Sequence, residues 1–494
     1  MGLALSRAIM DLLRDAARRD PAAPALVEGD RRWTWGELDR DGDRLAAALR
    51  ARGAGPGVTV ATLLPSSADG VLGVLTVPRT GATLAVLNPR FTAAELGDAL
   101  EVLDPALLVC DGASEALALA AAGPDRAGRV VRLDALTEGG APVAGSVSRG
   151  VPPPEGAYAL LWTSGTSGRP RGVAVGAEAL AASARSAERR LGLGAGDRWY
   201  AALGLAHVGG LALVTRAAAL GSCVVSSGRF DAGVLSRLVD DGGVTHVSLV
   251  PAMLRQVLDV RENRAIPQTL RCVLLGGAHT PRPLLDRALA AGVPVALTYG
   301  MTEVSSQAAT APPDLVRRKP GTVGEAIEGV RVGVAEDGEI LLAGATLAMG
   351  YVGSDEPLLA GDGWLHTGDL GEKDSEGHLW VTGRRAERIV TGGVNVDPVE
   401  VEDVLRLHEG VEDVAVVGVE DEDWGEVVAA AIVRRPGAYP DPGELESLAR
   451  ARITTAKIPR QWTFVDAVPR NRNGKIERGA VRAMLEGGGT PGRA

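Results

Sequence analysis

Residues 157–172 read AYALLWTSGTSGRPRG, an apolar run that passes directly into a loop of glycines, hydroxyls and arginines. The run at residues 157–163 predicts a buried strand, because it is short and apolar and ends at turn-forming residues. Glycines let a backbone approach a ligand, hydroxyls donate hydrogen bonds, and Arg169 and Arg171 add positive charge. We therefore predict a polyphosphate-binding loop, with a flexible surface turn as the alternative. The pattern GxxxxGK[ST] is absent, so this is not a Walker A loop.

The predicted strand belongs to a longer alternation of helices and strands. Helical apolar spacing covers residues 34–52 and 92–103, and each stretch begins at a threonine with a glutamate three residues later, the capping-box pattern. Further strands are predicted at residues 58–64, 107–110, 244–250 and 272–275, and further helices at residues 252–260 and 282–291. The alternation predicts an α/β fold in which helices cover parallel sheets.

Other regions depart from this alternation. Residues 321–381 show short strands separated by glycine turns such as Asp337-Gly338 and Glu376-Gly377, which predicts β-hairpins in a small β-barrel-like part. A small α+β segment follows Arg384. Residues 139–156 are rich in Gly, Pro and Ser and predict an exposed loop, and residues 1–20 predict an amphipathic helix.

Composition excludes several classes of protein. The formal net charge is -10 and no block of basic residues interrupts it, so neither nucleic acid nor an anionic membrane surface is expected as a partner. Cys110, Cys223 and Cys272 lie far apart, which argues against a disulfide framework or zinc site and favours a cytoplasmic location. No apolar run is long enough to predict a membrane span. The oligomeric state is left open, a homo-oligomer included.

The second candidate motif is Tyr299-Gly300-Met301-Thr302-Glu303, which follows a strand-like run at residues 293–297. Loops at the carboxyl ends of parallel strands are where α/β sheets bind ligands. A tyrosine can stack on a base, a threonine hydroxyl can contact phosphate, and a carboxylate can bind Mg²⁺ beside that phosphate. The alternative is an ordinary helix N-terminus with Thr302 and Glu303 in its first turn.

The third motif is Trp364-Leu365-His366-Thr367-Gly368-Asp369, followed by Gly383-Arg384. An aspartate in a glycine turn can accept hydrogen bonds from two ribose hydroxyls, and Arg384 can donate to the same sugar or to a phosphate. The alternative is an ordinary hairpin aspartate.

The fourth motif is Pro469-Arg470-Asn471-Arg472-Asn473-Gly474-Lys475. Only four of the 52 basic residues are lysines, so a retained lysine points to a need for its ammonium group. On a mobile glycine loop, that group can follow charge that develops between a carboxylate oxygen and phosphorus. The alternative is a solvated loop lysine.

Together and in this order, the four motifs resemble those of the ANL superfamily of adenylate-forming enzymes, and the resemblance covers nearly the whole chain. It implies a large N-terminal domain at residues 1–385 and a small mobile α+β C-terminal domain at residues 386–494. It also implies two half-reactions. A small carboxylic acid and ATP with Mg²⁺ give an acyl-adenylate and pyrophosphate, and then a thiol, usually of coenzyme A, displaces AMP.

The resemblance also implies which residues bind ATP. They are Thr163, Ser164, Gly165, Thr166, Ser167, Gly168, Arg171, Gly277, Ala278, Tyr299, Gly300, Thr302, Asp369, Arg384 and Lys475. The loop at residues 163–172 would hold pyrophosphate and Thr302 would contact phosphate. The stretch Gly276-Gly277-Ala278 would flank adenine together with Tyr299. Ribose would lie against Asp369 and Arg384.

The catalytic residues that the resemblance implies are Lys475, Glu303, Thr302 and His207. Glu303 would hold Mg²⁺, and Lys475 would bridge the carboxylate and the α-phosphate during adenylation. His207 would border the acyl carboxylate, with a hydrogen-bonded core histidine as the alternative. Gly392 and Gly393 would lie along the pantetheine path of coenzyme A, and Ala386 would be the hinge.

Three positions depart from the superfamily pattern. Arg171 stands where the loop usually has lysine, which preserves the charge. Ala386 stands where the hinge usually has aspartate or lysine, so the usual polar contacts are missing. Gly204-Leu205-Ala206-His207 replaces the common Pro-Leu-Phe-His and predicts a roomier acyl pocket.

Framework segments narrow the resemblance. Residues 196–211 and 271–299, together with the compact length, are most similar to the o-succinylbenzoate–CoA ligases of menaquinone biosynthesis. The alternatives are a medium-chain or aryl acid–CoA ligase, an adenylation enzyme that loads a carrier protein, and a non-catalytic nucleotide-binding homologue. The presence of Glu303, Asp369, Arg384 and Lys475 argues against the last of these.

Overall fold

The computed structural model describes residues 11–137, 153–163, 171–471 and 474–488. Its helices are α1 (Leu12–Arg19), α2 (Trp35–Arg50), α3 (Ala68–Thr76), α4 (Ala93–Leu103), α5 (Glu115–Arg126), α6 (Leu133–Thr137), α7 (Ala177–Leu191), α8 (Val208–Leu220), α9 (Ala232–Asp240), α10 (Pro251–Arg261), α11 (Arg282–Ala290), α12 (Pro313–Arg318), α13 (Pro398–Leu405), α14 (Pro442–Arg450) and α15 (Arg478–Gly488). Short 3₁₀ turns lie at Pro78–Thr80, Ala127–Arg129, Thr302–Val304, Arg385–Glu387 and Thr455–Lys457. Within these ranges no helix combines the length and the apolar character that crossing a membrane requires.

The strands are β1 (Pro24–Glu28), β2 (Arg31–Thr34), β3 (Thr59–Leu63), β4 (Thr83–Val86), β5 (Leu107–Cys110), β6 (Val130–Arg132), β7 (Ala157–Thr163), β8 (Arg171–Gly176), β9 (Arg198–Tyr200), β10 (Cys223–Ser226), β11 (His246–Leu249), β12 (Cys272–Leu275), β13 (Val295–Tyr299), β14 (Ala309–Ala311), β15 (Glu325–Ala326), β16 (Val330–Val334), β17 (Glu339–Gly344), β18 (Gly350–Val352), β19 (Leu365–Lys373), β20 (Leu379–Arg384), β21 (Ile389–Thr391), β22 (Val394–Val396), β23 (Val411–Asp421), β24 (Gly425–Arg434) and β25 (Gln461–Phe464). They form four sheets.

The largest sheet has nine strands in the order β15-β14-β13-β12-β11-β9-β10-β1-β2. The strands from β13 to β1 are parallel to their neighbours, and antiparallel pairs lie at both ends. Because α10 and α11 connect successive parallel strands, β11, β12 and β13 end at the same edge of the sheet. The ends of β12 and β13, at Leu275 and Tyr299, therefore lie side by side.

The second sheet has seven strands in the order β18-β8-β7-β4-β3-β5-β6, with parallel strands from β7 to β6 and antiparallel β8 and β18 at one end. One hydrophobic core holds side chains of this sheet, of the nine-stranded sheet and of helices α3, α7 and α8. These helices are therefore buried between the two sheets, and the parallel arrangement predicted from the βα alternation is confirmed.

The hairpin region forms a four-stranded antiparallel sheet in the order β16-β17-β19-β20. Turns at Asp337-Gly338 and Glu376-Gly377 connect its strands, as the sequence predicted, and both glycines have positive φ. This sheet corresponds to the predicted small β-barrel-like part. One of its strands, β19, carries the third motif.

Residues after the four-stranded sheet have hydrophobic cores of their own. Strands β22, β21, β24, β23 and β25 form a sheet with α13, α14 and α15 beside it. Two core clusters draw their buried members from residues 389–485, whereas the other clusters of the described residues end by residue 381. The predicted domain boundary between residues 385 and 386 lies between these two groups of core clusters. The boundary itself and the mobility of the segment after it stay predictions.

Local signals in the sequence are borne out where the structure describes them. Thr34 with Glu37 and Thr92 with Glu95 form complete capping boxes at the starts of α2 and α4. Predicted strands at residues 107–110, 157–163 and 272–275 match β5, β7 and β12. Most of the predicted exposed loop, residues 164–170 of the phosphate loop and residues 1–10 of the predicted N-terminal helix lie outside the described residues. Within the predicted range of residues 1–20, the structure has α1.

Two predicted loop residues lie in strands instead. Tyr299 is the last residue of β13, and Asp369 lies inside β19 rather than in a turn. Gly368 before it has φ +69, and the pairing of β19 with β20 shifts register next to Leu370, so the strand is irregular here. The helix predicted as an alternative at Thr302 is a 3₁₀ turn of three residues.

Candidate functional site

A cleft of about 300 Å³ lies at the carboxyl ends of β12 and β13. Its lining includes the predicted residues Gly277, Ala278, Tyr299, Gly300, Asp369, Arg384 and Lys475. They come from the nine-stranded sheet, the four-stranded sheet and the C-terminal segment, so three separate parts of the chain meet here. A larger groove of about 480 Å³ between α1, α7 and α8 contains none of the predicted residues.

Asp369 is the centre of a hydrogen-bonded cluster in the cleft. The Tyr299 hydroxyl donates to its Oδ2 at 2.8 Å, and Arg384 Nε lies 2.9 Å from its Oδ1. Asp369 and Arg384 are directly opposite each other in the β19–β20 pairing. Burial raises the pKa of Asp369, and the Arg384 guanidinium opposes that shift. Burial also raises the pKa of Tyr299 well above its ordinary value, so the phenol stays a hydrogen-bond donor.

Glycines let two backbone segments come close together at the cleft wall. A Cβ atom on Gly300 would lie 1.7 Å from the Ser306 carbonyl oxygen, and one on Gly276 would lie 2.9 Å from the Thr298 carbonyl oxygen. Neither oxygen can move without moving a strand or turn of the site. These glycines are therefore required by close approach rather than by chain flexibility.

Glu303 lies beside this cleft in the 3₁₀ turn Thr302–Val304. Burial raises the pKa of its carboxyl group, and its side-chain contact to the Tyr351 hydroxyl is long, at 3.4 Å. Arg171, at the end of the predicted phosphate loop, lies over the Tyr351 ring at 5.5 Å and pairs with Glu356 at 2.7 Å. Tyr351, whose pKa burial raises to about 12, thus connects the two predicted segments.

Sequence reasoning missed Tyr351, since no spacing relates it to the loop or to Glu303. It lies beside Val173 because β18 pairs with β8. That pairing joins strands more than 170 residues apart in the chain, and only the tertiary fold creates it.

His207 is positioned by its place at the start of α8. Its backbone N–H donates to the Gly204 carbonyl at 3.0 Å, and its own carbonyl accepts from Gly210 and Leu211. A Cβ atom on Gly210 would lie 2.3 Å from the Gly204 oxygen, so the turn before the helix is tight. His207 and Thr302 do not line the 300 Å³ cleft in the part of the chain that the structure describes.

Arg216 in α8 is a buried cation that the motif analysis missed. Its side chain is 3% exposed, and it donates to Gln307 Oε1 at 3.2 Å and lies 5.2 Å from the Trp199 ring centre. Burial lowers its pKa to about 10. Its Nε has no hydrogen-bond partner, and among the described residues no carboxylate pairs with it. The available signal was one arginine in the apolar sequence of α8.

Gln307 connects Arg216 to the cleft. Its amide donates to Thr310 Oγ1 at 2.8 Å, and Thr310 Oγ1 shares a hydrogen bond of 2.9 Å with Thr298 Oγ1. Thr298 lines the cleft. The guanidinium is therefore buried behind the cleft wall, two side chains away from it.

Lys475 reaches the cleft from a turn that backbone hydrogen bonds close. The Asn471 N–H donates to the Lys475 carbonyl at 2.8 Å, and the Lys475 N–H donates to Asn471 Oδ1 at 3.0 Å. Its ammonium nitrogen lies 3.3 Å from Glu387 Oε1. A lysine of the C-terminal segment thus shares a cleft with Tyr299 and Asp369, as predicted from the four motifs.

Gly392 and Gly393 form the turn between β21 and β22, away from the cleft lining. Both have positive φ, at +54 and +79. A Cβ atom on Gly392 would lie 2.5 Å from the Trp424 ring, which is 41% exposed and carries the Arg460 guanidinium at 3.8 Å. An exposed indole beside a glycine turn is a surface on which an aromatic or cationic group can stack.

The predicted hinge, Ala386, lies in the 3₁₀ turn Arg385–Glu387. Arg385 pairs with Glu339 at 3.2 Å and also with Asp337, both before the turn, whereas Glu387 pairs with residues after it. These pairs each lie on one side of the predicted boundary. A contact that crosses it joins His279 Nε2 to Asp403 Oδ2 at 2.9 Å. This contact helps to hold the C-terminal segment where Lys475 faces the cleft.

Family models match two parts of the chain. The model described as AMP-binding enzyme matches residues 13–352, and the model described as AMP-binding enzyme C-terminal domain matches residues 400–475. A curated relative named 2-succinylbenzoate–CoA ligase, from Geobacillus sp. strain WCH70, is 32% identical over 492 residues, which cover 97% of this chain and 98% of the relative.

Solved structures of o-succinylbenzoate CoA synthetase (MenE) from Bacillus subtilis are also similar. The complex with the acyl-adenylate intermediate OSB-AMP has a TM-score of 0.85 and 31% identity and covers 96% of this chain and 98% of that chain. The complex with ATP and magnesium ion has a TM-score of 0.84 and 31% identity and covers 95% and 98%. With a family model spanning residues 13–352 and near-complete coverage of these relatives, the chain belongs to the AMP-binding enzyme family.

Proposed function

We propose that this chain is an AMP-forming 2-succinylbenzoate–CoA ligase of menaquinone biosynthesis. A carboxylate oxygen of the acid attacks the α-phosphorus of ATP, the bond to pyrophosphate breaks, and an acyl-adenylate forms. The thiol sulfur of coenzyme A then attacks the acyl carbon and releases AMP. The observation that carries the proposal is Lys475 on the wall that also bears Tyr299, Asp369 and Arg384, since binding a nucleotide alone needs no such lysine.

ATP would occupy the 300 Å³ cleft. Adenine would lie between Tyr299 and the Gly276-Gly277-Ala278 turn, of which Gly277 and Ala278 line the cleft. Among the described residues, Asp369 accepts one bond on each oxygen, from Tyr299 and Arg384, so lone pairs remain for ribose hydroxyls. The loop at residues 163–172 and Thr302 would contact the phosphates.

Glu303 fits a magnesium ligand. A buried carboxylate with a raised pKa and one long hydrogen bond gains from a nearby cation more than a solvated carboxylate does. Mg²⁺ is usually held by one or two carboxylates together with substrate phosphates and water, so a single glutamate beside the phosphates suffices. Mg²⁺ bound there would neutralise phosphate charge, and Arg171 would add positive charge at the end of the phosphate loop.

Lys475 would act in the first step. Negative charge moves onto the oxygens around the α-phosphorus as the carboxylate attacks, and an ammonium group within hydrogen-bond reach stabilises that charge. The remaining contribution of the protein is to hold acid and ATP in line for attack. No protein nucleophile is needed, because pyrophosphate is already a good leaving group.

Arg216 supports a substrate with two carboxylates. 2-Succinylbenzoate carries one on its ring and one on its side chain, and only one of them forms the adenylate. The other must be buried with the ring, and a buried carboxylate needs a cationic or hydrogen-bonding partner. Arg216 is buried behind the cleft wall with no carboxylate paired to it among the described residues, so its positive charge can meet that need through Gln307.

The second step would use the C-terminal segment. We propose residues 386–494 as a mobile domain, Ala386 as its hinge, and Gly392 and Gly393 as the pantetheine path. The exposed Trp424 with Arg460 beside that turn suits the adenine and phosphates of coenzyme A. The cytoplasmic location remains a prediction that rests on the three unpaired, buried cysteines.

A panel of acids tests the proposal. Purified protein is incubated with MgATP, with and without coenzyme A, and with 2-succinylbenzoate, benzoate, medium-chain acids and other aryl acids. We expect the fastest pyrophosphate release with 2-succinylbenzoate, and a coenzyme A thioester by mass spectrometry. Preference for a medium-chain or monocarboxylic aryl acid would overturn the substrate. Pyrophosphate release without thioester formation would favour an enzyme that loads a carrier protein.

A further inference from the structure

The catalytic role proposed for Lys475 needs its ammonium to be aimed, and one neighbour stands out. Glu387 lines the same cleft, and its Oε1 lies 3.3 Å from Lys475 Nζ. Lysine side chains have long flexible stems, so an ammonium without an anchor samples many positions. A carboxylate at this distance restricts that sampling.

Glu387 is itself held in place from the opposite side. Arg478 Nε lies 2.7 Å from its second oxygen, Oε2. Arg478 is 14% exposed and also lies 2.5 Å from Glu402 Oε1 and donates to the Val416 carbonyl at 2.7 Å. Glu402 is 3% exposed and accepts a hydrogen bond from the Val416 N–H at 2.9 Å. The ion pairs that hold Glu387 are therefore anchored in the hydrophobic core through Glu402.

The charge on Glu387 is maintained by its partners. Burial alone would raise the pKa of Glu387, but Arg478 and Lys475 hold it below its ordinary value. The group is therefore an anion at neutral pH. It also lies directly after Ala386, so Glu387, Arg478 and Lys475 all belong to the segment after the predicted hinge.

We propose that Glu387 is a positioning residue for Lys475, one that anchors the ammonium toward the cleft for the adenylation step. This inference rests on the proposed function. An ammonium group has three N–H donors, so one can stay on Glu387 while two reach the attacking carboxylate and the α-phosphate. Arg478 keeps Glu387 rigid, and the anchor travels with the lysine whenever the segment after Ala386 moves.

A second glutamate–lysine pair of the same segment serves as a matched control. Lys457 lies 2.7 Å from Glu400 Oε2, and Glu400 is 41% exposed. Neither residue lines the cleft as far as the structure describes it. Glu400→Gln removes the same charge from the same part of the chain without touching Lys475.

The test separates the two half-reactions. Pyrophosphate release measures adenylation, and thioester formation from a supplied acyl-adenylate measures the second step. For Glu387→Gln we expect adenylation kcat to fall about tenfold, with KM for ATP and the second step changed less than about twofold, because positioning acts on the transition state. Glu387→Asp, which keeps the charge on a shorter stem, should recover part of the loss. Glu400→Gln should change neither step by more than about twofold.

Three results would overturn the proposal. Equal losses in both half-reactions would mean a structural role, unchanged adenylation would mean no role, and faster adenylation would mean that Glu387 restrains the lysine. Failure of the unmodified enzyme to release pyrophosphate with any acid would instead refute the proposed function, so the two failures are distinguishable.

Discussion

At the scale of single residues, Lys475 of the C-terminal segment brings an ammonium group into the cleft. Lys475→Ala removes the group proposed to stabilise charge at the α-phosphorus, and we expect pyrophosphate release to fall at least about a hundredfold. Thioester formation from a supplied acyl-adenylate should persist, since the bond to phosphorus is then already made. Both rates are measured on the same preparation, and a comparable fall in both would remove Lys475 from the assigned role.

Glu303 carries a buried carboxylate that we propose as a ligand of Mg²⁺. In Glu303→Gln we expect the Mg²⁺ concentration for half-maximal activity to rise about tenfold or more, because the charged ligand is gone. An unchanged metal requirement would exclude Glu303 from the site. The measurement is a magnesium titration of pyrophosphate release at fixed ATP.

The same substitution has a predicted pH signature. Burial raises the pKa of Glu303, so the carboxylate is lost, as pH falls, at a less acidic pH than an exposed glutamate would need. Activity of the unmodified enzyme at limiting Mg²⁺ should therefore decline on the acidic side, and Glu303→Gln should lack that limb. In the ligand-free protein the penalty for burying the charge is present above this pKa and is relieved below it. Glu303→Gln should consequently raise Tm at neutral pH in scans without nucleotide.

Arg216 is a buried charge whose partner we propose to be the substrate. Arg216→Met keeps much of the volume but loses the charge, so KM for 2-succinylbenzoate should rise at least about tenfold. The control is a substrate: 4-oxo-4-phenylbutanoate lacks the ring carboxylate and should be turned over similarly by both proteins. Equal losses for both acids would show that Arg216 supports only the fold.

At the scale of elements, the ends of β12 and β13 depend on glycine for their approach to neighbouring backbone. Gly300→Ala would force a Cβ to within 1.7 Å of the Ser306 oxygen, and we expect the free energy of unfolding to fall by about 2–4 kcal/mol. Gly479 in α15 has no atom within 4 Å of such a Cβ, so Gly479→Ala should raise that free energy by about 0.5–1 kcal/mol. Denaturant unfolding of both variants checks the contrast.

The pairing of β19 with β20 brings Asp369 and Arg384 together. Cross-strand register sets Asp369 opposite Arg384, and the irregularity next to Leu370 keeps both side chains toward Tyr299. The motifs indicated both residues but assigned Asp369 to a turn. Register between two strands depends on packing of the whole sheet, and a local pattern does not contain it.

At the scale of the whole molecule, the contact of His279 with Asp403 links the C-terminal segment to the rest of the described chain. Both side chains are about a third exposed. Asp403→Asn should weaken the arrangement in which Lys475 faces the cleft and slow adenylation about two- to fourfold, with the second step unchanged. Asp286→Asn, which breaks an ion pair within α11, is the matched control and should leave both rates unchanged. Equal slowing by both variants would contradict this role.

Much of the architecture was readable from local patterns. Local interactions determine the apolar runs that form β5, β7 and β12 and the capping boxes at Thr34 and Thr92. Because these interactions join residues only a few positions apart, the sequence alone predicts them. The motifs around Tyr299, Asp369, Arg384 and Lys475 were predicted to share a site, and they line one cleft. Their chemistry requires particular residue types, which a sequence displays directly.

Only the tertiary structure showed that three further residues lie at or near the site: Tyr351, Arg216 and Glu387. Tyr351 stands beside Glu303 through the pairing of β18 with β8. Arg216 is buried with no carboxylate paired to it among the described residues. Glu387 meets Lys475 because Arg478 holds it there. Residue types, capping and apolar periodicity are local properties, so the amino-acid order alone determined them. Which charges lie within a few ångströms of each other, and which remain unpaired after burial, depends on contacts between distant segments, and these exist only once the chain has folded.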